Sequence, residues 1–209
     1  LPYLNQSSIL DNSHGAIVKS NPSFAAGVYM GFEDGLWRPY PYKNVGANYQ
    51  IMQYTCAHSK EVVIGFDPRC RGWYHAAMLN QSEVIFTTPY IDASSGDVTI
   101  TLARAVLVND FMVGVVGADI TLASLEATVL SATVLDNGYT YMCDEQKHLI
   151  VHPDLDYETD DTIYQVTAKE FSTTAENEVA DFEAFLDNHV LRGEVGQKSF
   201  TKNGEKWYV

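Results

Sequence analysis

The sequence has no apolar run approaching the roughly 18 residues of a membrane-spanning helix. Its longest, Phe111 to Val116, has the length of a buried strand. No charged-apolar-small signal pattern leads the chain. Basic residues are few: 13 Lys and Arg stand against 27 Asp and Glu, for a formal net charge of −14. An acidic surface repels polyanions, which argues against nucleic acid as a partner. Catalytic signatures are missing as well. There is no GxSxG, no HExxH and no phosphate-cradling glycine loop, so an enzyme is not expected. The 6 histidines are scattered. His152, Asp154 and Asp156 read as a solvated acidic turn rather than a closed metal set, and no metal or cofactor is expected. Cysteine is scarce too, with 3 residues, Cys56, Cys70 and Cys143, at spacings that suit no metal site. A Cys56–Cys70 bridge inside the first half, leaving Cys143 alone, and three buried free thiols are both open.

What is present describes a globular protein. Hydrophobic residues make up 46% and aromatics 12%, well above a disordered composition. The 209 residues suffice for one large domain or two lobes of about 100 residues. Residues 1–135 carry 7 basic and 11 acidic side chains, residues 136–209 carry 6 and 16. That break near Asp136 favours two lobes, expected at 1–122 and 123–209. The sequons Asn5-Gln6-Ser7 and Asn80-Gln81-Ser82 fit an oxidising exterior.

Residues 1–22 are polar and read as a helix remnant and loop. Phe24 to Met30 and Leu36 to Tyr42 read as a hairpin about Glu33-Asp34-Gly35, with Pro39 and Pro41 confining the second strand to an edge. Glu61 to Phe66 is strand-like. Asp67-Pro68 starts a helix to about Leu79, the Asp capping free N–H groups and the Pro fitting the first turn. On that helix Arg71 and Tyr74 share a face, and Trp73 with Ala76 and Ala77 face the core. Strands follow at Ser82 to Tyr90, Val98 to Val108 and Met112 to Ile120. A helix capped by Thr121 then runs to Val134. Three successive antiparallel strands after a hairpin and a helix point to a PAS-like α/β (α+β) lobe. The second half repeats the theme. A hairpin joins Tyr139–Cys143 to Leu149–His152, a helix spans about Ala175–Leu191 with Thr173 and Glu176 as a capping box, and a hairpin turns at Asn203-Gly204. This second lobe reads as incomplete.

The chemistry concentrates between Phe66 and Asp119. Arg71 can grip a carboxylate with two parallel hydrogen bonds, and Trp73 adds an indole N–H. Tyr74 and Tyr90 offer hydroxyls, and Asp92 and Asp119 offer carboxylates for an ammonium. The set suits a zwitterion. Each residue also has a plainer use. Arg71 could pair with Asp92 or Asp119, Asp92 could cap the turn at Ser94, Asp119 could cap the helix after it, and the aromatics could be core. Trp37 and Phe66 are candidates for lining a pocket wall.

The pieces Asp67-Pro68-Arg69, Arg71-x-Trp73-Tyr74, Tyr90-x-Asp92 and Gly114-Val115-Val116-Gly117-x-Asp119 resemble, in order and spacing, the double Cache family of extracellular sensor domains of the amino-acid-binding type. They cover about a quarter of the chain. Phe66 departs from the pattern, standing where many such members carry Tyr. The resemblance implies two PAS-like lobes with antiparallel sheets. It implies that Arg71 and Trp73 hold the ligand carboxylate, while Tyr90, Asp92 and Asp119 hold the amine. It further implies a free L-amino acid or related amine as ligand, and a parent protein anchored in the membrane with this ectodomain on its extracellular or periplasmic side. The output would be a chemotaxis receptor, kinase or cyclase, and a homodimer is left open. The alternative is an auxiliary Cache ectodomain like those of alpha-2-delta channel subunits, in which partner contact dominates.

Overall fold

The computed structural model describes residues 7–23, 25–43, 45, 53–54, 63–132, 134, 138–144, 146–154 and 176–209. The chain divides into two compact units, Leu1–Leu125 and Glu126–Val209.

The first unit opens with helix α1 (Ile9–Ser20), where the polar composition favoured only a remnant. Strands β1 (Gly27–Phe32) and β2 (Trp37–Tyr40) form the expected hairpin, and β3 (Gln53–Tyr54) pairs with β4 (Val63–Ile64) as a separate ribbon. After a 3-10 turn at Pro68–Cys70 come α2 (Gly72–Leu79), β5 (Ile85–Phe86), β6 (Tyr90–Ile91), β7 (Val98–Val108), β8 (Phe111–Thr121) and α3 (Leu122–Val129). The main sheet runs β2-β1-β8-β7-β5, with β6 also on β7, and all its pairings are antiparallel. Pro39, which cannot donate to a ladder, sits on edge strand β2 as its chemistry requires. Asn109 and Asp110 close the β7–β8 hairpin with φ of 51° and 64°. Both residue types tolerate that left-handed conformation, and a two-residue loop of this hand matches the strand twist.

Three expectations need correction here. The helix from Asp67 is not continuous. The Asp67 carboxylate accepts the Arg69 N–H at 2.9 Å and caps only the 3-10 turn; Arg71 is then extended (φ −95°, ψ 146°), and α2 starts afresh at Gly72. Arg71 therefore shares no helical face with Tyr74. The strand expected at Ser82–Tyr90 is two short strands. Between them the Thr87 hydroxyl, not a backbone carbonyl, accepts the Thr101 N–H at 2.9 Å, and Pro89 has no N–H to pair. The helix after β8 stops at Val129 rather than Val134. Its start is as read, with the Thr121 hydroxyl accepting the Ser124 N–H at 3.3 Å.

Register explains why a site forms on one face. Gly27, Asp119 and Thr101 lie in one row across β1, β8 and β7, and Tyr29, Gly117 and Ala103 in the next. A methyl group at Gly117 would lie 2.4 Å from the Tyr29 ring, so glycine there gives the ring its place over the sheet. Tyr29, Trp73, Tyr74, Ala77, Ala103 and Val115 form the core on this face.

The second unit contains the hairpin of β9 (Met142–Cys143) and β10 (Leu149–Val151), helix α4 (Glu176–Asn188), and the hairpin of β11 (Ser199–Lys202) and β12 (Glu205–Tyr208). Leu149, Phe182, Leu186 and Phe200 make its core. The helix ends sooner than its apolar pattern predicts. A 3-10 turn, Val190–Arg192, follows it, and Gly193 adopts φ 66° as the stop. Thr173, half of the expected capping box, lies outside the described residues.

His152 is buried beside the Tyr139 ring, 5.1 Å between centroids, and its Nδ1 accepts the Asp154 N–H at 3.1 Å. Burial lowers its pKa, against the opposing pull of Asp154. The unfolded chain, with an ordinary value of about 6.5, thus takes up the proton first as pH falls. The stability His152 contributes is complete above about pH 6.5 and is lost as pH falls through the lowered folded value. The melting temperature is expected to drop between pH 7 and 5.5, and His152→Gln to flatten that slope. An unchanged slope in calorimetry of the variant would show that this imidazole does not titrate with folding.

Candidate ligand site

Each polar group of the site is delivered by a different element. β8 brings Asp119, which is 1% exposed. Its Oδ1 accepts two hydroxyls, Tyr29 from β1 at 2.6 Å and Thr101 from β7 at 2.8 Å. Thr101 Oγ1 in turn lies 2.7 Å from the Tyr90 hydroxyl. With its one proton given to Asp119, Thr101 accepts from Tyr90, so Tyr90 supports Asp119 by relay. Burial raises the Tyr90 pKa to about 12, the Asp119 charge adding to it, and the same two causes raise Tyr29. Both phenols therefore stay protonated as donors at neutral pH.

The second oxygen of Asp119, Oδ2, faces an ammonium already in place. Lys43, just beyond β2, sets its Nζ 2.9 Å from Asp119 Oδ2 and 3.5 Å from Asp92 Oδ1. Asp92 also caps the turn before β7. Its Oδ1 accepts the N–H groups of Ser94 at 3.1 Å and Ser95 at 2.9 Å, along with the Ser94 hydroxyl. Burial by itself would push the Asp92 pKa up, but the Ser94 and Ser95 hydrogen bonds and the Lys43 charge together hold it down. The turn-capping and carboxylate-pair readings of Asp92 thus coexist. The helix-capping reading of Asp119 gives way, because Thr121 holds that position.

Arg71 approaches from the extended residue ahead of α2, its guanidinium 5.8 Å from the centre of the Phe66 ring. A cavity of about 10 Å³, room for a single water, is lined by Tyr29, Trp37, Phe66, Arg71, Trp73, Tyr90 and Asp92, among others. Trp37 packs on Phe66 and Tyr29, with ring centres 4.5 and 5.8 Å apart. Its indole Nε1 is buried with no hydrogen-bond partner among the described residues. A groove of about 480 Å³ lies alongside and shares Arg71, Trp73 and Tyr90 with the cavity.

Of the residues picked from sequence, Arg71, Trp73, Tyr90 and Asp92 meet at this cavity with Trp37 and Phe66, and Asp119 joins through Tyr29 and Lys43. Tyr74 does not. It is buried in the core, and its hydroxyl donates to Glu33 Oε1 at 2.5 Å. Tyr29, Lys43 and Thr101 were missed. Thr101, a polar residue in the middle of an apolar strand, was the one readable signal; Lys43 follows two prolines and gives none. Cys70 is disulfide-bonded and Cys143 is free, while Cys56 lies outside the described residues. Among the described residues no cluster of acidic, His and Cys side chains is suited to a metal, and no helix is long and apolar enough to cross a membrane.

The first unit is thus an antiparallel α/β lobe with a buried carboxylate, Asp119, and a small cavity lined by Arg71 and Asp92. Residues 12–127 match the family of methyl-accepting chemotaxis protein-like first PDC sensor domains, and the chain belongs to that family. The family binds ligands and performs no catalysis. The chain is 42% identical over 89 residues to the methyl-accepting chemotaxis protein PscA of Pseudomonas syringae pv. tomato, a match covering 43% of this chain and 14% of that protein. It thus spans a small part of the curated relatives it resembles. Among solved structures, the ligand-binding domain of the Pseudomonas fluorescens chemoreceptor CtaA in complex with L-valine matches with a TM-score of 0.50 and 30% identity, over 65% of this chain and 53% of that one. The same domain in complex with L-isoleucine matches with a TM-score of 0.56 and 25% identity, over 90% and 62%.

Proposed function

We propose that the first unit binds a free L-amino acid or a close amine-bearing analogue on the extracellular or periplasmic side of a membrane, and that a chemotaxis receptor transmits the occupancy. Arg71 and Trp73 take the carboxylate, with Trp37 Nε1 as an added donor. Asp119 and Asp92 take the amine, supported by Tyr90. The observation that carries this reading is the ammonium between Asp119 and Asp92, because it marks a subsite already shaped and charged for a primary amine. Trp37 adds support: among the described residues its buried Nε1 meets no acceptor, and a buried N–H left so costs about 1–3 kcal/mol. The chemotaxis relatives favour sensing over a scaffold role. A braced loop ending at Cys70, with Cys56 as partner, would help hold Arg71 in position.

Thermal-shift screening against the twenty common L-amino acids, simple amines and small carboxylates tests the proposal. At least one amino acid is expected to raise the melting temperature with rising concentration, by mass action. A flat response to every compound from folded protein would favour the scaffold.

A further inference from the structure

The Lys43 ammonium occupies the place that the reading above gives to the ligand amine. Asp119 Oδ1 is filled by two hydroxyls, so only Oδ2 is open to an ammonium, and Lys43 holds it at 2.9 Å. The lysine is not a stray surface side chain. It is 14% exposed, its Nζ lies 6.0 Å from the centre of the Tyr29 ring, and its stem passes Gly27, where a methyl group would lie 3.3 Å from Cε. Two ammonium groups on one carboxylate oxygen would stand within about 4 Å of each other, and like charges at that distance in a partly buried site repel strongly. The cavity lined by Tyr29, Arg71 and Asp92 is about 10 Å³, room for no more than a water as it stands.

We infer that Lys43 is a tethered competitor for the amine subsite and thereby a specificity determinant, an inference that rests on the amino-acid reading above. Only a ligand bearing its own ammonium replaces the charge that Lys43 removes when it swings out. A carboxylate without an amine cannot do so, because the exchange would leave Asp119 and Asp92 facing each other unneutralised. Arg71 alone selects for a carboxylate; Lys43 makes the amine obligatory. Apparent affinity is then the intrinsic affinity scaled by the fraction of molecules with Lys43 displaced. The lysine sets the concentration at which the sensor responds without touching the bound ligand.

Two experiments test this. In calorimetric titration of each of the twenty L-amino acids into the parent and into Lys43→Met, whose apolar stem keeps the packing on Tyr29, the variant is expected to bind at least tenfold tighter. Binding seen in the variant alone also supports the inference. Equal or weaker binding by the variant overturns it and leaves the amino-acid reading standing. No binding by either folded protein removes both. The second experiment needs no variant. Reductive methylation of the parent, read lysine by lysine by mass spectrometry, is expected to speed up at Lys43 alone when a binding amino acid is added, because the displaced amine meets solvent. Unchanged or slower methylation at Lys43 in the presence of that amino acid overturns the inference.

Discussion

Asp119→Ala is expected to lower folding stability by about 3–5 kcal/mol and to abolish amino-acid binding in whatever remains folded. Removing one member of a buried charge pair leaves the other uncompensated, and that is the usual magnitude. Here the vacancy would take the acceptor from the Tyr29 hydroxyl at 2.6 Å and the Thr101 hydroxyl at 2.8 Å, and would take from the Lys43 ammonium the nearer of its two carboxylates, at 2.9 Å. Tyr29 and Thr101 anchor β1 and β7 to β8, so the loss falls on the centre of the sheet. In a chain of this size about 1 kcal/mol corresponds to roughly 2–4 °C in melting temperature. Asp119→Asn separates the two roles. Its side-chain oxygen can still accept both hydroxyls, while its amide gives Lys43 or a ligand amine no charge. It should recover much of the stability and none of the binding. Scanning calorimetry with ligand titrations on both variants checks this. If the Asn variant melts as low as the Ala variant yet binds normally, Asp119 belongs to the scaffold alone.

Much of the frame was legible because its signals are local. The Asn203-Gly204 pair reads as a two-residue hairpin turn, and the structure turns there with both residues at positive φ. The apolar run around Val115 is β8, buried by neighbours on both sides. Asp119 stood out as a carboxylate near the end of that strand, where an unpaired charge could not remain. The misses arise where tertiary partners outweigh local pattern. The Asp67-Pro68 signal was sound, but its capping carboxylate was claimed by the Arg69 side chain as well as its backbone N–H, and the chain left the helix at Arg71. Tyr74 looked like a ligand hydroxyl from its place in the motif. Glu33, 41 residues earlier, took that hydroxyl instead.

The site itself was half legible. The charged side chains that line the cavity, Arg71 and Asp92, were picked out from the sequence. The groups that organise those charges were not. Tyr29 reads as a core aromatic until the register places it opposite Gly117, which has no side chain to exclude its ring. Lys43 reads as one polar residue in a connection. Its meaning depends on a distance to Asp119, 76 residues away, that no periodicity encodes.

Arg71→Ala should differ from Asp119→Ala in its effect on the fold, removing binding at a small cost in stability. Arg71 sits in the extended link between the 3-10 turn and α2, partly exposed, and lines both the cavity and the outer groove. Asp119 ties β1 and β7 to its own strand at the centre of the sheet, whereas Arg71 lies outside the sheet, so the expected stability cost is smaller than that of Asp119→Ala, about 1 kcal/mol. A ligand carboxylate deprived of its guanidinium would be left desolvated, a loss on the order of 2–5 kcal/mol, or roughly 30-fold and upward in affinity. Arg71→Lys should recover only part of that, because a single ammonium cannot make two parallel hydrogen bonds to one carboxylate. The trace that remains in Arg71→Ala should favour amines over amino acids, since the Asp119 end is intact and the carboxylate has become a liability. Phe66 sharpens the contrast. A Tyr there would offer a second donor at the carboxylate end, whereas Phe leaves more of the grip to Arg71, stacked 5.8 Å from its ring. Phe66→Tyr in the Arg71→Ala background should therefore restore some amino-acid affinity. Titration of one amino acid and its decarboxylated amine into the parent and the three variants decides the matter. An Arg71→Ala protein that binds the amino acid as tightly as the parent would move the carboxylate end elsewhere, with the buried indole N–H of Trp37 as the next donor to remove.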